Sequence, residues 1–160
     1  MALIRSLAGN LCLTAPLASW ILSQLLKFIL TALGTGKLKG ERLWGSGGMP
    51  SAHAATVCSL SVSVGIVCGA DSAAFAVAAI FSLIVMYDAC GVRLETGRHA
   101  KRLNELSAIF NQTASIQTED SCENAPAFHE QVGHTLPQVL VGGLLGIFMS
   151  ILFAKIRGMI

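Results

Sequence analysis

Two histidines stand where chemistry could be done. One closes the stretch Ser46-Gly47-Gly48-Met49-Pro50-Ser51-Ala52-His53, immediately before a long uncharged run; the other, His134, stands at the start of a second such run. Imidazole titrates near neutrality and can serve as nucleophile or as general acid. Gly47 and Gly48 would let the backbone fold closely around a ligand. Pro50 suits the first turn of a helix, where its missing N–H costs nothing. The N–H groups of Ser51 and Ala52, at the positive end of that helix, would cradle an anion. The same eight residues also read as an ordinary helix start with an incidental imidazole. Asp88, in Met86-Tyr87-Asp88-Ala89-Cys90-Gly91-Val92-Arg93, would orient an imidazole or pair with Arg93 five residues later. Lys27 either snorkels to an interface or adds its charge to the same place, and Arg42 is a further cation nearby in sequence.

The elements that must position these residues are read from hydropathy. The 160 residues are 53% hydrophobic and 12% charged, against about 25% charged in soluble domains. Crossing about 30 Å of hydrocarbon takes roughly 20 apolar helical residues. Four stretches qualify, at 7–33, 49–70, 72–92 and 131–154. The expected fold is all-α: a polytopic membrane helix bundle of about four transmembrane helices, forming one domain over residues 1–160. A secretory signal is the weaker reading of the first stretch, because its apolar run is long and Lys27 falls inside the continuing helical pattern. Leu103, Leu106 and Phe110, spaced by three and four, extend a helix beyond the third span into the polar connection 93–130. The rest of that connection is polar and aperiodic, as a loop would be. Five cysteines at 12, 58, 68, 90 and 122, without CxxC spacing, read as small buried apolar residues. Trp20 and Trp44 read as interface anchors.

Topology then gathers the polar residues. Eight of the eleven Lys and Arg lie in or beside 34–48 and 93–130, and the link around Asp71 has none. The positive-inside tendency places both long connections on the cytoplasmic or equivalent face, where the acceptor pattern Asn111-Gln112-Thr113 would go unglycosylated. His53 at the start of span two, Asp88 and Arg93 at the end of span three, and Glu130 and His134 at the start of span four all reach that edge. Ionisable groups at membrane depth suggest function. His134, Gln138, Gly142 and Gly146 recur every four residues and share a helical face, with Gly142 and Gly146 forming a seam for close helix approach. Imidazoles about 4 to 8 Å apart would leave room for a phosphate between them.

These stretches, together with Lys101-Arg102-Leu103-Asn104-Glu105-Leu106 and the run from Gly133 to Gly146, resemble in order and spacing the divergent type-2 phosphatidic acid phosphatase family, related to acid phosphatases and vanadium-dependent haloperoxidases. The resemblance covers nearly the whole chain. In the wider superfamily a Pro-Ser-Gly-His histidine is the general acid, and Pro50-Ser51-Ala52-His53 is similar, with alanine for glycine. A second histidine attacks phosphorus, and His134 is its counterpart. The resemblance thus implies a phosphohistidine on His134, protonation of the leaving alkoxide by His53, and phosphate held by basic residues and helix N–H groups, with neither metal nor cofactor. The chain departs from the superfamily in having Phe128 where an arginine precedes the second histidine and Gln138 where an acid follows it. No lysine followed seven residues later by Arg-Pro is present, since Lys27 leads to Gly34.

The leading expectation is a membrane phosphohydrolase acting on a lipid-linked phosphate or pyrophosphate. His134, His53 and Asp88 would be its catalytic groups; Gly47, Gly48, Ser51, Arg42, Arg93 and Lys27 would bind phosphate. The alternative is a catalytically degenerate protein that binds or moves an anionic lipid. A metal enzyme built on His53, His134 and Asp88 ranks below both, because no local ligand pair exists. Lipid phosphate and membrane lipids are the expected partners, nucleic acid is not, and a homo-oligomer is compatible with such a bundle.

Overall fold

The computed structural model describes residues 1–35, 48–114, 127–130 and 132–160. Six helices follow one another among them: α1 (Ala2–Gly9), α2 (Leu11–Thr35), α3 (Ala52–Cys68), α4 (Ala73–Cys90), α5 (Val92–Ala114) and α6 (Leu136–Ile156). The helices α2 and α6 and the combined α4–α5 run Ala73–Phe110 are long and apolar enough to cross a membrane; α3, with 17 residues, is shorter.

Local chemistry sets several boundaries. The Asn10 side chain accepts from Cys12 N–H at 2.9 Å, opening α2. Ser51 caps α3 through Ala54 N–H, and Ser72 caps α4 through Phe75 N–H at 3.1 Å; both satisfy helix donors that lack an internal partner. Gly69, at φ 89°, ends α3 in backbone that side-chain-bearing residues rarely adopt. The helical extension expected after the third span is present, but Gly91 separates it from α4 as a distinct helix. Its Leu103, Leu106 and Phe110 are exposed.

The bundle is small inside and bulky outside. Helix α3 packs against α2, α4 and α6, and its buried residues are Ala52, Ala54, Ala55, Val57, Ser59 and Ser63. Large side chains such as Ile80, Leu83, Ile84, Leu140, Leu144 and Phe148 face outward. In water that distribution would be unfavourable; in hydrocarbon it is expected, because lipid solvates leucine and close packing of small residues drives helix association. A Cβ added to Gly142 would fall 2.3 Å from the Ser51 carbonyl oxygen, and one on Gly146 2.1 Å from that of Ala55. The two glycines therefore let the α3 and α6 backbones touch. Serine bonds knit the same interface: Ser150 Oγ lies 2.7 Å from Ser59 Oγ and 3.1 Å from Ser63 Oγ. Ser61 and Ser82 join α3 to α4 at 2.6 Å. At the far end, Arg157 donates to the carbonyls of Ala8 and Gly9 and to Thr14 Oγ1, tying the end of α6 to the α1–α2 corner.

Of the described cysteines, 12, 58, 68 and 90 are free; Cys68 is exposed rather than buried. Trp44, Cys122 and the glycosylation pattern's loop lie outside the residues whose side chains are described.

Candidate functional site

Helices α3 and α6 begin, and α4 ends, at one edge of the bundle, where α2 also arrives. Helix α3 begins at Ala52, so Pro50 lies before the Ser51 cap instead of in the first turn. The Ser51 N–H, expected to face an anion, donates to the Gln138 carbonyl at 3.0 Å. The close approach of α6 at Gly142 brings that carbonyl within reach. The cradle therefore loses one of its two expected amides, while His53, on the first turn of α3, faces a cavity.

His134 is placed differently from the expectation of a helical face. Helix α6 starts at Leu136, with Thr135 before it and Pro137 in its first turn, so His134 sits on the non-helical segment ahead of the helix. Three ties hold it there. Its N–H donates to the Ala89 carbonyl at the end of α4, at 2.9 Å. Gly133, at φ 94°, passes so close to α5 that a Cβ would lie 2.4 Å from Leu94 N. Its Nδ1 lies 3.2 Å from the Gly48 carbonyl oxygen. A carbonyl only accepts, so that bond puts the proton on Nδ1 and leaves the lone pair on Nε2. The ring is 2% exposed. Burial, first, and the Lys27 charge, second, lower its pKa below the ordinary histidine value; contacts with Gln138 and Gly48 work the other way and are outweighed.

The two rings meet edge to face, with centroids 5.9 Å apart. His53 Nδ1 is enclosed and has no hydrogen-bond partner. Around the pair lies a cavity of about 610 Å3, lined at its head by His53, His134, Lys27 and Arg93. Lys27 is 3% exposed, its stem packed on Gly48. Asp88 engages Arg93 Nε as an ion pair at the cavity rim, leaving other guanidinium N–H groups for a ligand. Both partners are partly exposed. Glu130, expected on the His134 helical face, is exposed and accepts from Asn104, which also brackets the Phe128 backbone at 2.9 Å on both its N–H and its carbonyl. The Lys101-to-Leu106 stretch thus anchors the segment leading to His134. Gly47 and Arg42 lie outside the described residues.

Below its charged head the cavity descends along three walls. On α2 it follows Lys27, Gln24 and Trp20; on α3, His53, Thr56 and Val57; on α4, Val85 and Phe81. Trp20, expected as an interface anchor, is part of this wall. The backbones of α2 and α4 do not approach each other among the described residues, so α3 floors a cleft between them. Sequence reasoning passed over Gln24, although the 20-24-27 spacing places it on the Lys27 face of α2.

A sequence profile described as "Divergent PAP2 family" matches residues 8–149. The chain belongs to that family. It is also 36% identical over 152 residues, 92% of this chain and 96% of the relative, to the "Uncharacterized membrane protein YuiD" of Bacillus subtilis (strain 168). No solved structure gives a significant match. Family membership makes this a membrane protein related to phosphatases, and both histidines of the site fall inside the matched residues.

Proposed function

We propose that the protein is a membrane phosphohydrolase acting on a lipid-linked phosphate or pyrophosphate, through a histidine nucleophile and without a metal. The observation that carries this reading is the pair of imidazoles, 5.9 Å apart, at the charged head of a cavity whose walls turn apolar with depth. Nε2 of His134 holds the lone pair and attacks phosphorus, forming a P–N bond as the P–O bond to the lipid breaks. His53 gives its proton to the departing oxygen. It then takes a proton from water, whose oxygen attacks phosphorus; the P–N bond breaks, phosphate leaves, and both rings are restored. Lys27 and Arg93 would hold the equatorial oxygens, supplying the charge stabilisation that phosphoryl transfer chiefly needs. The cleft between α2 and α4 lets the lipid chain stay in hydrocarbon while the head reaches the histidines. The cation distribution of the loops favours the cytoplasmic or equivalent face for this edge.

Gln138 favours a second reading. Its Oε1 accepts from Thr135 N–H at 3.1 Å, capping α6, and an amide cannot stabilise an imidazolium as a carboxylate does. On that reading the cavity binds or moves an anionic lipid without turnover. Purified protein in detergent, given lipid phosphate, distinguishes the two. Phosphate release, abolished in both His53→Ala and His134→Ala, supports the hydrolase; tight binding without release supports the alternative. Release undiminished in both variants would remove the histidine mechanism.

A further inference from the structure

The cavity contains a second enclosed polar atom besides the imidazole nitrogen. Gln24 Oε1 is shielded from solvent and has no hydrogen-bond partner. Its cavity neighbours Val57, Phe81 and Val85 carry no side-chain donor, and the Trp20 indole N–H does not bond it. Thr56 commits its hydroxyl proton to the Ala52 carbonyl at 2.8 Å. A buried amide left this way is disfavoured, and native proteins seldom leave one without a reason.

Its place in the cleft suggests that reason. Gln24 and Lys27 share a face of α2, three residues apart, or about 4.5 Å along the axis. Lys27 belongs with the phosphate at the head; Trp20 lies about two turns deeper, where the walls are apolar. Gln24 sits between them, and its rise along α2 from Lys27 is comparable with the span from a phosphate to the second carbon of its ester. We propose that Gln24 is a specificity-determining residue that hydrogen-bonds a hydroxyl on that carbon, so the preferred ligand is a hydroxylated single-chain lipid phosphate. A hydroxyl both donates and accepts, and satisfies the amide in either orientation. A polyprenyl phosphate offers no donor at that depth. The assignment rests on the phosphate-binding reading of the cavity but not on turnover.

The test pairs 1-oleoyl-glycerol 3-phosphate with its 2-deoxy analogue, identical except for the hydroxyl. Binding of each to the purified full chain in detergent micelles is measured, with phosphate release followed in parallel. Wild-type protein should bind the hydroxylated lipid on the order of tenfold more tightly, and Gln24→Leu should bring the ratio near one. Equal binding of the two lipids by wild type overturns the proposal without needing any variant. So does a preference that persists in Gln24→Leu. A preference lost in Gln24→Leu, but unaccompanied by phosphate release from wild type, supports the Gln24 assignment and overturns the hydrolase reading.

Discussion

At the residue scale the decisive feature is the bond from His134 Nδ1 to the Gly48 carbonyl. Gln138 stands where the superfamily has an acid, and here the Gly48 carbonyl holds the ring. With Nδ1 engaged, Nε2 must be unprotonated to attack. Because burial and Lys27 lower the His134 pKa, kcat/KM should persist at pH values below about 6.5, the ordinary histidine value. On the acid side it should fall as pH drops through the lowered pKa and Nε2 takes a proton. An acidic limb at or above the ordinary value would contradict this assignment. Lys27→Met removes one lowering influence and one charge proposed to hold phosphate. The acidic limb should move upward, and turnover should drop by roughly 10²-fold. Both histidines, Lys27 and Arg93 could be singled out from the sequence, because ionisable side chains at the ends of apolar runs are conspicuous. Gln24 was not conspicuous: a lone amide in a span carries no charge, and its lack of a partner emerges only from the packing of α2, α3 and α4.

Elements decide whether the histidines meet. His53 rides on α3 and His134 immediately precedes α6, so the Gly142–Gly146 contact between these helices sets their separation. Gly146→Ala forces a methyl group against the Ala55 carbonyl. It should cost about 1–3 kcal/mol, read as a lower thermal midpoint in detergent, with phosphate release falling alongside. Gly34→Ala, where an added Cβ meets nothing within 4 Å, serves as the comparison and should change neither. A stable Gly146→Ala protein with full activity would disconnect the seam from the site. The seam itself was readable from the four-residue glycine spacing. The start of α6 was misplaced because hydropathy counts residues 131–135 as apolar or uncharged without registering helix geometry. Thr135, Pro137 and Gln138 held the better signal, since a capping residue followed by proline marks a first turn. The Ser51 N–H was likewise misjudged: no local pattern says that a carbonyl from α6 will reach it.

For the whole molecule, the separation of α2 from α4 turns a helix bundle into a cleft with a charged head and an apolar depth. Filling the apolar part should affect lipid-chain binding more than phosphoryl chemistry. Val85→Trp should raise KM for long-chain lipid phosphates several-fold while altering hydrolysis of a short, water-soluble phosphate monoester much less. Equal effects on both would mean that the cleft does not carry the chain. The four apolar stretches and the helical extension were legible because hydrocarbon demands long uncharged helices. The cleft was not, since it depends on which helix backbones stay apart. The central claim, that His134 takes the phosphoryl group while His53 serves the leaving oxygen, is tested most directly by trapping the intermediate. Wild-type protein is quenched during turnover of 32P-labelled lipid phosphate, and the labelled peptide is identified. Label is expected on His134 and absent from His134→Ala. Phosphate release with no label on His134, or with label on another residue, would contradict it.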